Sequence, residues 1–272
     1  VSQLNDESGG PIDLRTDQPH AARMYDYLLG GKDHYTVDGE AAEKALTAFP
    51  LLRTAARENR KFLGRAVQYL VRETGIRQFI DLGSGLPTAE NVHQVAQRHD
   101  PTTHVVYVDN DPIVLVYGSA MLAQDRRTAV IQGDVRDPGA VLDHPRTREL
   151  IDFTEPVGVL AVAVLHFVGD EEKPESIVRT LRDAVPPGSH FILSHATADI
   201  APEAAMGVQR AYRAQGVPLT LRDKARFTEF FDGLDLIEPG VQVVSEWRSD
   251  VPEAERPDHA DVSWYGGVGR LA

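Results

Sequence analysis

Three carboxylates, each closing a short apolar run, are where this sequence concentrates its chemistry. Asp81 opens Asp81-Leu82-Gly83-Ser84-Gly85, Asp109 ends Val105-Val106-Tyr107-Val108-Asp109, and Asp134 follows Thr128-Ala129-Val130-Ile131-Gln132-Gly133. In a parallel α/β sheet, ligands lie outside the carboxyl ends of the strands. A carboxylate there can accept hydrogen bonds from both hydroxyls of a ribose, and another can accept one from the amino edge of an adenine. Asp109 lies about 24 residues after Gly85, close to the spacing of ribose-binding acids. Gly83 and Gly85 let the chain turn sharply and approach a ligand with no Cβ in between. The stretch from Asp81 to Thr88 reads as a strand end, a glycine turn and a helix start, with Pro87 in the first helical turn.

A dinucleotide fingerprint, G-x-G-x-x-G, would put a third glycine where this chain has Thr88, and an acid stands two positions before Gly83. Both differences point away from a pyrophosphate, and an NAD-dependent reductase is a distant third reading. S-adenosylmethionine carries no phosphate, and the ammonium of its amino-acid end favours a nearby carboxylate. The cofactor-binding set expected from these motifs is Asp81, Gly83, Ser84, Gly85, Asp109, Asn110, Asp134 and Val135. Asp111, followed by Pro112, reads as a helix N-cap.

For a methyl acceptor, His166 and His195 follow the fourth and fifth apolar runs and are the candidate catalytic bases, since imidazole titrates near neutral pH. Neither is chemically required, because the sulfonium leaves readily and in-line alignment can supply most of the acceleration. The segment Arg23 to Tyr35 concentrates aromatic and charged residues around Gly30-Gly31. It reads either as a lid offering Tyr25, Tyr27, His34 and Tyr35 to the substrate, or as an amphipathic helix ended by glycine. Glu58-Asn59-Arg60-Lys61, Glu171-Glu172 and the acids near Asp250 to Asp261 read as solvated surface. No histidine and carboxylate set shows metal-ligand spacing, so no metal is expected.

These residues need a scaffold, and the pattern supplies one. Residues 1–16 read as a flexible lead-in and 17–76 as an N-terminal helical extension or lid. Helices are expected from an Asp17 cap to Leu29, over Gly39 to Ala48, and from Pro50 to Thr74. Strands near 77–82, 104–109, 128–132, 157–164 and 189–195 then alternate with helices, which predicts a mostly parallel sheet. Helices follow near 201–215 and 223–232, a strand at Leu234 to Ile237, an apolar stretch at Val241 to Trp247, and a closing edge strand at Ser263 to Arg270. Residues 77–272 are thus expected to form one α/β domain with a Rossmann-like, doubly wound, seven-stranded sheet.

Composition narrows the partners. The chain has 272 residues, with 41 acidic against 28 basic side chains and a formal net charge of −13. That charge repels a phosphate backbone, so no nucleic acid partner is expected. No cysteine is present, which excludes disulfides, thiolate metal sites and cytosine methylation by thiolate addition. No apolar run matches a membrane span and the polar N-terminus lacks a signal-peptide core, so no membrane partner and a cytoplasmic location are expected.

The chain resembles the class I S-adenosylmethionine-dependent methyltransferases over residues 77–272. The resemblance implies that Asp81, Gly83 and Gly85 surround the methionine portion of the cofactor, that Asp109 binds ribose and that Asp134 binds the adenine edge. Leu165-His166-Phe167 and Pro186-Pro187-Gly188-Ser189 match later landmarks of that family. The strings RMYDYLLGGKDHY, ARENRKFLGRAV, RQFIDLGSGLPT, VVYVDNDP and AVLHFVGD are similar to a bacterial S-adenosyl methyltransferase family long carried as a domain of unknown function. Two departures stand out. Pro87 occupies a position where many relatives have glycine, and the N/D-P-P-Y/F motif of amino-group methylases is replaced by Leu165-His166-Phe167-Val168. The resemblance therefore implies the cofactor and favours a small-molecule oxygen or nitrogen acceptor. The alternative is a non-catalytic S-adenosylmethionine-binding sensor, since the strong motifs all concern the cofactor.

Overall fold

The apolar runs that end in acids become neighbouring strands of one sheet. The computed structural model describes residues 14–87, 90–122 and 126–272, so Thr88 and all but Leu14 to Thr16 of the expected lead-in lie outside the described residues. Three helices come first: α1 (Ala21–Leu29), α2 (Thr36–Ala48) and α3 (Leu52–Tyr69). Then β1 (Gln78–Leu82), β2 (His104–Asp109), β3 (Thr128–Gln132), β4 (Gly158–Val162) and β5 (His190–Ala196) alternate with α4 (Val92–His99), α5 (Pro112–Leu122), α6 (Pro138–Asp143), α7 (Pro145–Leu150) and α8 (Pro174–Asp183). The chain finishes with α9 (Pro202–Ala214), α10 (Lys224–Thr228), β6 (Asp235–Leu236), β7 (Gln242–Val243), α11 (His259–Val262) and β8 (Trp264–Arg270).

The strand order is β3-β2-β1-β4-β5-β8-β6, with β7 also paired to β8. Strands β1 to β5 are parallel, and β8 runs antiparallel to β5, β6 and β7. The sheet thus has seven positions, the last shared by two short strands. Strands β1, β4 and β5 are buried along their whole length, which is why they read as continuous apolar runs. The winding runs outward from β1 through β2 to β3 on one side and from β4 to β5 on the other. It reverses between β1 and β4, where a crevice opens at the strand ends. Register sets Leu82 beside Val108 and Asp109 beside Gln132, bringing the acids to one edge.

Several expected boundaries shift for local reasons. Helix α1 starts at Ala21 because His20, not Asp17, is its N-cap and accepts from the Ala22 N–H. Helix α2 begins three residues before Gly39, because Asp38 caps the Tyr35 N–H at 2.9 Å. The long third helix loosens into a π-helical turn over Leu70–Thr74 before Gly75. Pro87 does not open a helix: α4 starts at Val92, where Gln94 accepts from the Asn91 N–H at 2.9 Å. Only Gln242–Val243 of the apolar stretch pairs as a strand. The closing strand β8 is internal rather than at the edge. A Cβ on Gly266 would lie 2.8 Å from the Phe62 ring, so glycine is what lets α3 pack onto this strand.

Candidate active site

A cavity of about 390 Å³ opens at the carboxyl ends of β1 to β5 and runs beneath the N-terminal helices. Its first half is built by the β1 turn. The Gly83 and Ser84 N–H groups donate to Val108 O at 2.8 and 3.1 Å, which folds the turn back against β2. Gly83 and Gly85 both sit at φ +68, but their roles differ. A Cβ on Gly83 would strike Val164 at 2.4 Å, whereas one on Gly85 would meet no atom within 4 Å. Gly83 therefore serves packing, and Gly85 leaves a bare backbone beside the cavity it lines.

Asp109 is fixed by two backbone donors, Gly85 N–H to Oδ2 at 2.8 Å and Asp111 N–H to Oδ1 at 3.0 Å. Each oxygen keeps a lone pair for a further donor. Burial pushes its carboxyl above the usual range, against the Asp111 and Gly85 hydrogen bonds and nearby His20. Asp81 is 4% exposed, and among the described residues its carboxylate has no hydrogen-bond or ion-pair partner. Burial pushes it up to about 7, with Arg60 opposing and Asp109 adding to the rise. Asp134 differs: Arg136 grips both of its oxygens at 2.8 and 2.5 Å and holds it below the usual carboxylate range, while Asn110 lies 3.5 Å from Oδ2. Asn110 and Val135 also line the cavity.

Helix α3 contributes residues that helix-surface logic had assigned to solvent. Asn59 is buried, and both it and Arg60 line the cavity. Arg60 donates to Asn91 Oδ1 at 3.1 Å, while its Nε is buried without a partner. Asn59 joins a chain of hydrogen bonds that ties four elements together. The Ala163 N–H donates to Ser194 Oγ (3.0 Å), which donates to Asn59 Oδ1 (2.6 Å). Asn59 Nδ2 donates to Tyr25 Oη (3.0 Å), which donates to Ala56 O (3.0 Å). Ala163 is held at φ +58, in the left-handed region, at the point where β4 turns into the cavity wall.

A strap formed by the residues before α1 and its first turn lines the cavity and is tied to Asp111. Arg23 is 2% exposed, sits 2.9 Å from Asp111 Oδ2 and 3.5 Å from Asp38 Oδ2, and donates to Gln18 O at 3.2 Å. His20 lies 3.2 Å from Asp111 Oδ2. Asp111 therefore does more than cap α5 through Ile113 N–H; it anchors the strap. Leu14 packs against the small cluster of Leu86, Ile113 and Val114, so order begins before residue 17.

The expected acceptor residues separate in space. His166 is 2% exposed and lines the cavity, with Nδ1 accepting from Ala196 N–H at 3.4 Å. That bond leaves the ring hydrogen on Nε2, and burial, with His195 and Arg222 nearby, holds the ring neutral well below its usual range. His195 is a correction: it lies outside the cavity lining, bonded between Ala196 O (2.7 Å) and Arg222 Nη1 (2.9 Å). Burial pushes it down to about 3. Arg222, which the motifs gave no reason to choose, also bonds Leu165 O, Val168 O and Asp170, pinning the 165–170 turn to β5. Of the four lid candidates, Tyr25 lines the cavity. Tyr27, His34 and Tyr35 line a shallow surface depression instead. Tyr27 bonds Glu43, His34 bonds Asp26 at 2.9 Å, and Tyr35 starts α2, so each is occupied with local structure.

Away from the acids, toward β4, β5 and α9, the part of the cavity termed the chamber is walled by residues that include Leu28, Leu52, Phe167, Val208, Tyr212 and Leu219. Among the described residues no helix is long and apolar enough to cross a membrane, and no cluster of three His, Asp or Glu residues could hold a metal ion.

Comparison with known proteins adds the family. The family model described as S-adenosyl methyltransferase matches residues 7–272. This chain belongs to that family. Its cofactor is S-adenosylmethionine, and the residues present fit it: a bare backbone at Gly85, a buried unpartnered Ser84 Oγ, and strand-end carboxylates beside them. A DUF574 family protein from Streptomyces avermitilis is 42% identical, with a TM-score of 0.92 over 96% of this chain and 100% of its own. A protein from Thermobifida fusca assigned as a methyltransferase is 40% identical, with a TM-score of 0.90 over 95% and 97%. An O-methyltransferase family 2 protein from Planctomyces limnophilus, in complex with apigenin, shares the fold at 13% identity and a TM-score of 0.50, over 87% of this chain and 67% of its own. No curated protein matches.

Proposed function

We propose that this chain is an enzyme that moves a methyl group from S-adenosylmethionine to an oxygen or nitrogen of a small-molecule acceptor. One observation carries the reading: a single cavity is lined both by the strand-end acids and by apolar and aromatic residues of α9 and the 216–221 segment. When bound, the cofactor supplies a methyl group on a sulfonium, which needs alignment more than activation. In this reading Asp109 accepts from the ribose hydroxyls, with Asn110 beside it, and Asp134 and Val135 meet the adenine edge. Ser84 and the bare Gly85 backbone flank the methionine end, where Asp81 receives the ammonium and Arg60 the carboxylate. Residues 77–272 form the transfer domain. Residues 17–76 close over it, with Tyr25 held in place through Asn59.

The chain's contribution to rate is then position and exclusion of water. The Ala163 to Tyr25 hydrogen-bond chain fixes the wall facing the chamber, and the Arg23 strap covers the cofactor end. The test is conversion of S-adenosylmethionine to S-adenosylhomocysteine with an acceptor panel and with cell extract. Turnover that disappears in Asp109→Ala supports the enzyme. Cofactor binding with no turnover in any condition would favour the second reading, a non-catalytic sensor. The feature favouring a sensor is the state of the histidines: His195 is locked outside the cavity and His166 is held neutral with its Nδ1 occupied.

A further inference from the structure

The chamber beyond the acids differs in character from the cofactor half. The carboxyl and guanidinium side chains that line the cavity, Asp81, Asp109, Asp134, Arg23, Arg60 and Arg136 among them, belong to the β1–β3 strand ends, α3 and the strap. Among the described residues, the walls contributed by β4, β5, α9 and the 216–221 segment carry no carboxylate, ammonium or guanidinium. A charged amine or acid placed there would lose its water without gaining a partner. The walls there are instead mostly apolar and aromatic. The Phe167 and Tyr212 rings lie nearly parallel, 18° apart with centroids at 6.2 Å, and Val208 and Leu221 extend the apolar surface.

Three polar ring atoms interrupt this surface. Tyr212, Trp264 and His166 all line the chamber. Among the described residues, Tyr212 Oη, Trp264 Nε1 and His166 Nε2 have no hydrogen-bond partner. Indole N–H is a donor only, and the imidazole N–H is left on Nε2 when Nδ1 accepts from Ala196. Donors suit an atom with two lone pairs, one to be held and one to attack. A neutral amine has a single lone pair, and holding it would block attack.

Resting on the methyl-transfer reading, we propose that the acceptor is an uncharged, ring-bearing alcohol or phenol, methylated on oxygen in this chamber. The acceptor oxygen forms the new O–C bond as the S–C bond breaks, and the electron pair stays on sulfur, turning the sulfonium into a neutral thioether. The oxonium formed on the acceptor then loses its proton to water at the mouth of the cavity, because neutral His166 accepts through Nδ1 and carries its hydrogen on Nε2, which leaves no acceptor in its ring.

The experiment is calorimetry on the full chain saturated with S-adenosylhomocysteine, titrated with 2-naphthol, 2-naphthoate and 2-naphthylmethylammonium. Naphthol should bind at least about tenfold more tightly than either charged analogue. In Val208→Gln and Leu221→Gln, naphthol affinity should fall by about tenfold while S-adenosylhomocysteine affinity stays within about twofold. The second variant lies on a partly exposed position and guards against misfolding of the first. A charged analogue binding as tightly as naphthol, or naphthol failing to bind the saturated protein, overturns the acceptor class and leaves the cofactor reading intact. Failure of S-adenosylhomocysteine itself to bind refutes the methyl-transfer reading underneath.

Discussion

Cofactor binding by the native chain should depend on pH, and replacing Asp81 with asparagine should abolish that dependence. Asp81 is buried, its carboxyl is pushed up to about 7 by that burial, and the charges facing it are Arg60, which opposes the rise, and Asp109, which adds to it. Below neutral pH the group is therefore mostly protonated, and a ligand ammonium meets no full negative charge. The ionised fraction falls from about one half at pH 7 to about one tenth at pH 6, so affinity for S-adenosylhomocysteine should weaken about fivefold over that unit. At pH 7.5 the asparagine variant should bind about ten- to a hundredfold more weakly than native protein, the worth of a charge-assisted hydrogen bond. Its affinity should no longer change with pH in this way. The sign for the ligand-free chain is opposite. A carboxyl raised from 3.8 to about 7 binds more protons folded than unfolded between those values. Its contribution to stability is fully present below the lower value and is lost as pH rises through the upper one. Ligand-free Asp81→Asn should therefore gain melting temperature over the native chain at pH 7.5 and not at about pH 4. Calorimetry across about pH 5.5 to 7.5, where the ligand amine stays protonated, reads the first effect, and thermal melts read the second. A native affinity that is flat over this range, or an equal slope in the variant, would refute the assignment of Asp81.

The two turn glycines should separate stability from binding. Gly83→Ala drives a Cβ to 2.4 Å from Val164 and should cost about 1–3 kcal/mol in a urea melt beyond the backbone strain that it shares with Gly85→Ala. Gly85→Ala should melt higher than Gly83→Ala yet lose more S-adenosylhomocysteine affinity by calorimetry, because its methyl projects toward the cavity. Arg222→Met strands His195, Leu165 O and Val168 O without their donor and should destabilise by about 2–4 kcal/mol in the same melts. Residues 14–35 should gain protection from hydrogen exchange when S-adenosylhomocysteine and 2-naphthol are both bound; unchanged exchange would make the strap a fixed part of the scaffold.

The parallel strands were legible because strands buried on both faces read as unbroken apolar runs, and the strand-end acids were legible because strand and acid are adjacent in the chain. What escaped was non-local. Asn59 and Arg60 sit in a charged helical run, and nothing in Glu58 to Lys61 says which side of α3 faces a cavity. Arg23, His20 and Asp111 meet across some ninety residues, so an N-cap at Asp111 was the most that local spacing could supply. His195 carries the right ring at the right strand end, but Arg222 lies 2.9 Å away in space and 27 residues away in sequence. Pro87 fits a first helical turn as well as it fits the loop it occupies. The Asn91 and Gln94 capping box, which sets the true helix start, is a weaker pattern than a proline after a glycine turn. Ser263 to Arg270 reads as a closing edge strand despite its glycines, whereas in β8 those glycines make room for Phe62 and Phe231 against an internal strand.

The most direct test of the account is an experimental structure of the chain crystallised with S-adenosylhomocysteine. The account predicts both ribose hydroxyls on Asp109, the amino-acid end between Asp81 and Arg60, and the sulfur facing the chamber walled by Phe167, Tyr212 and Trp264. Ligand bound elsewhere, or bound with its sulfur turned away from that chamber, would contradict it.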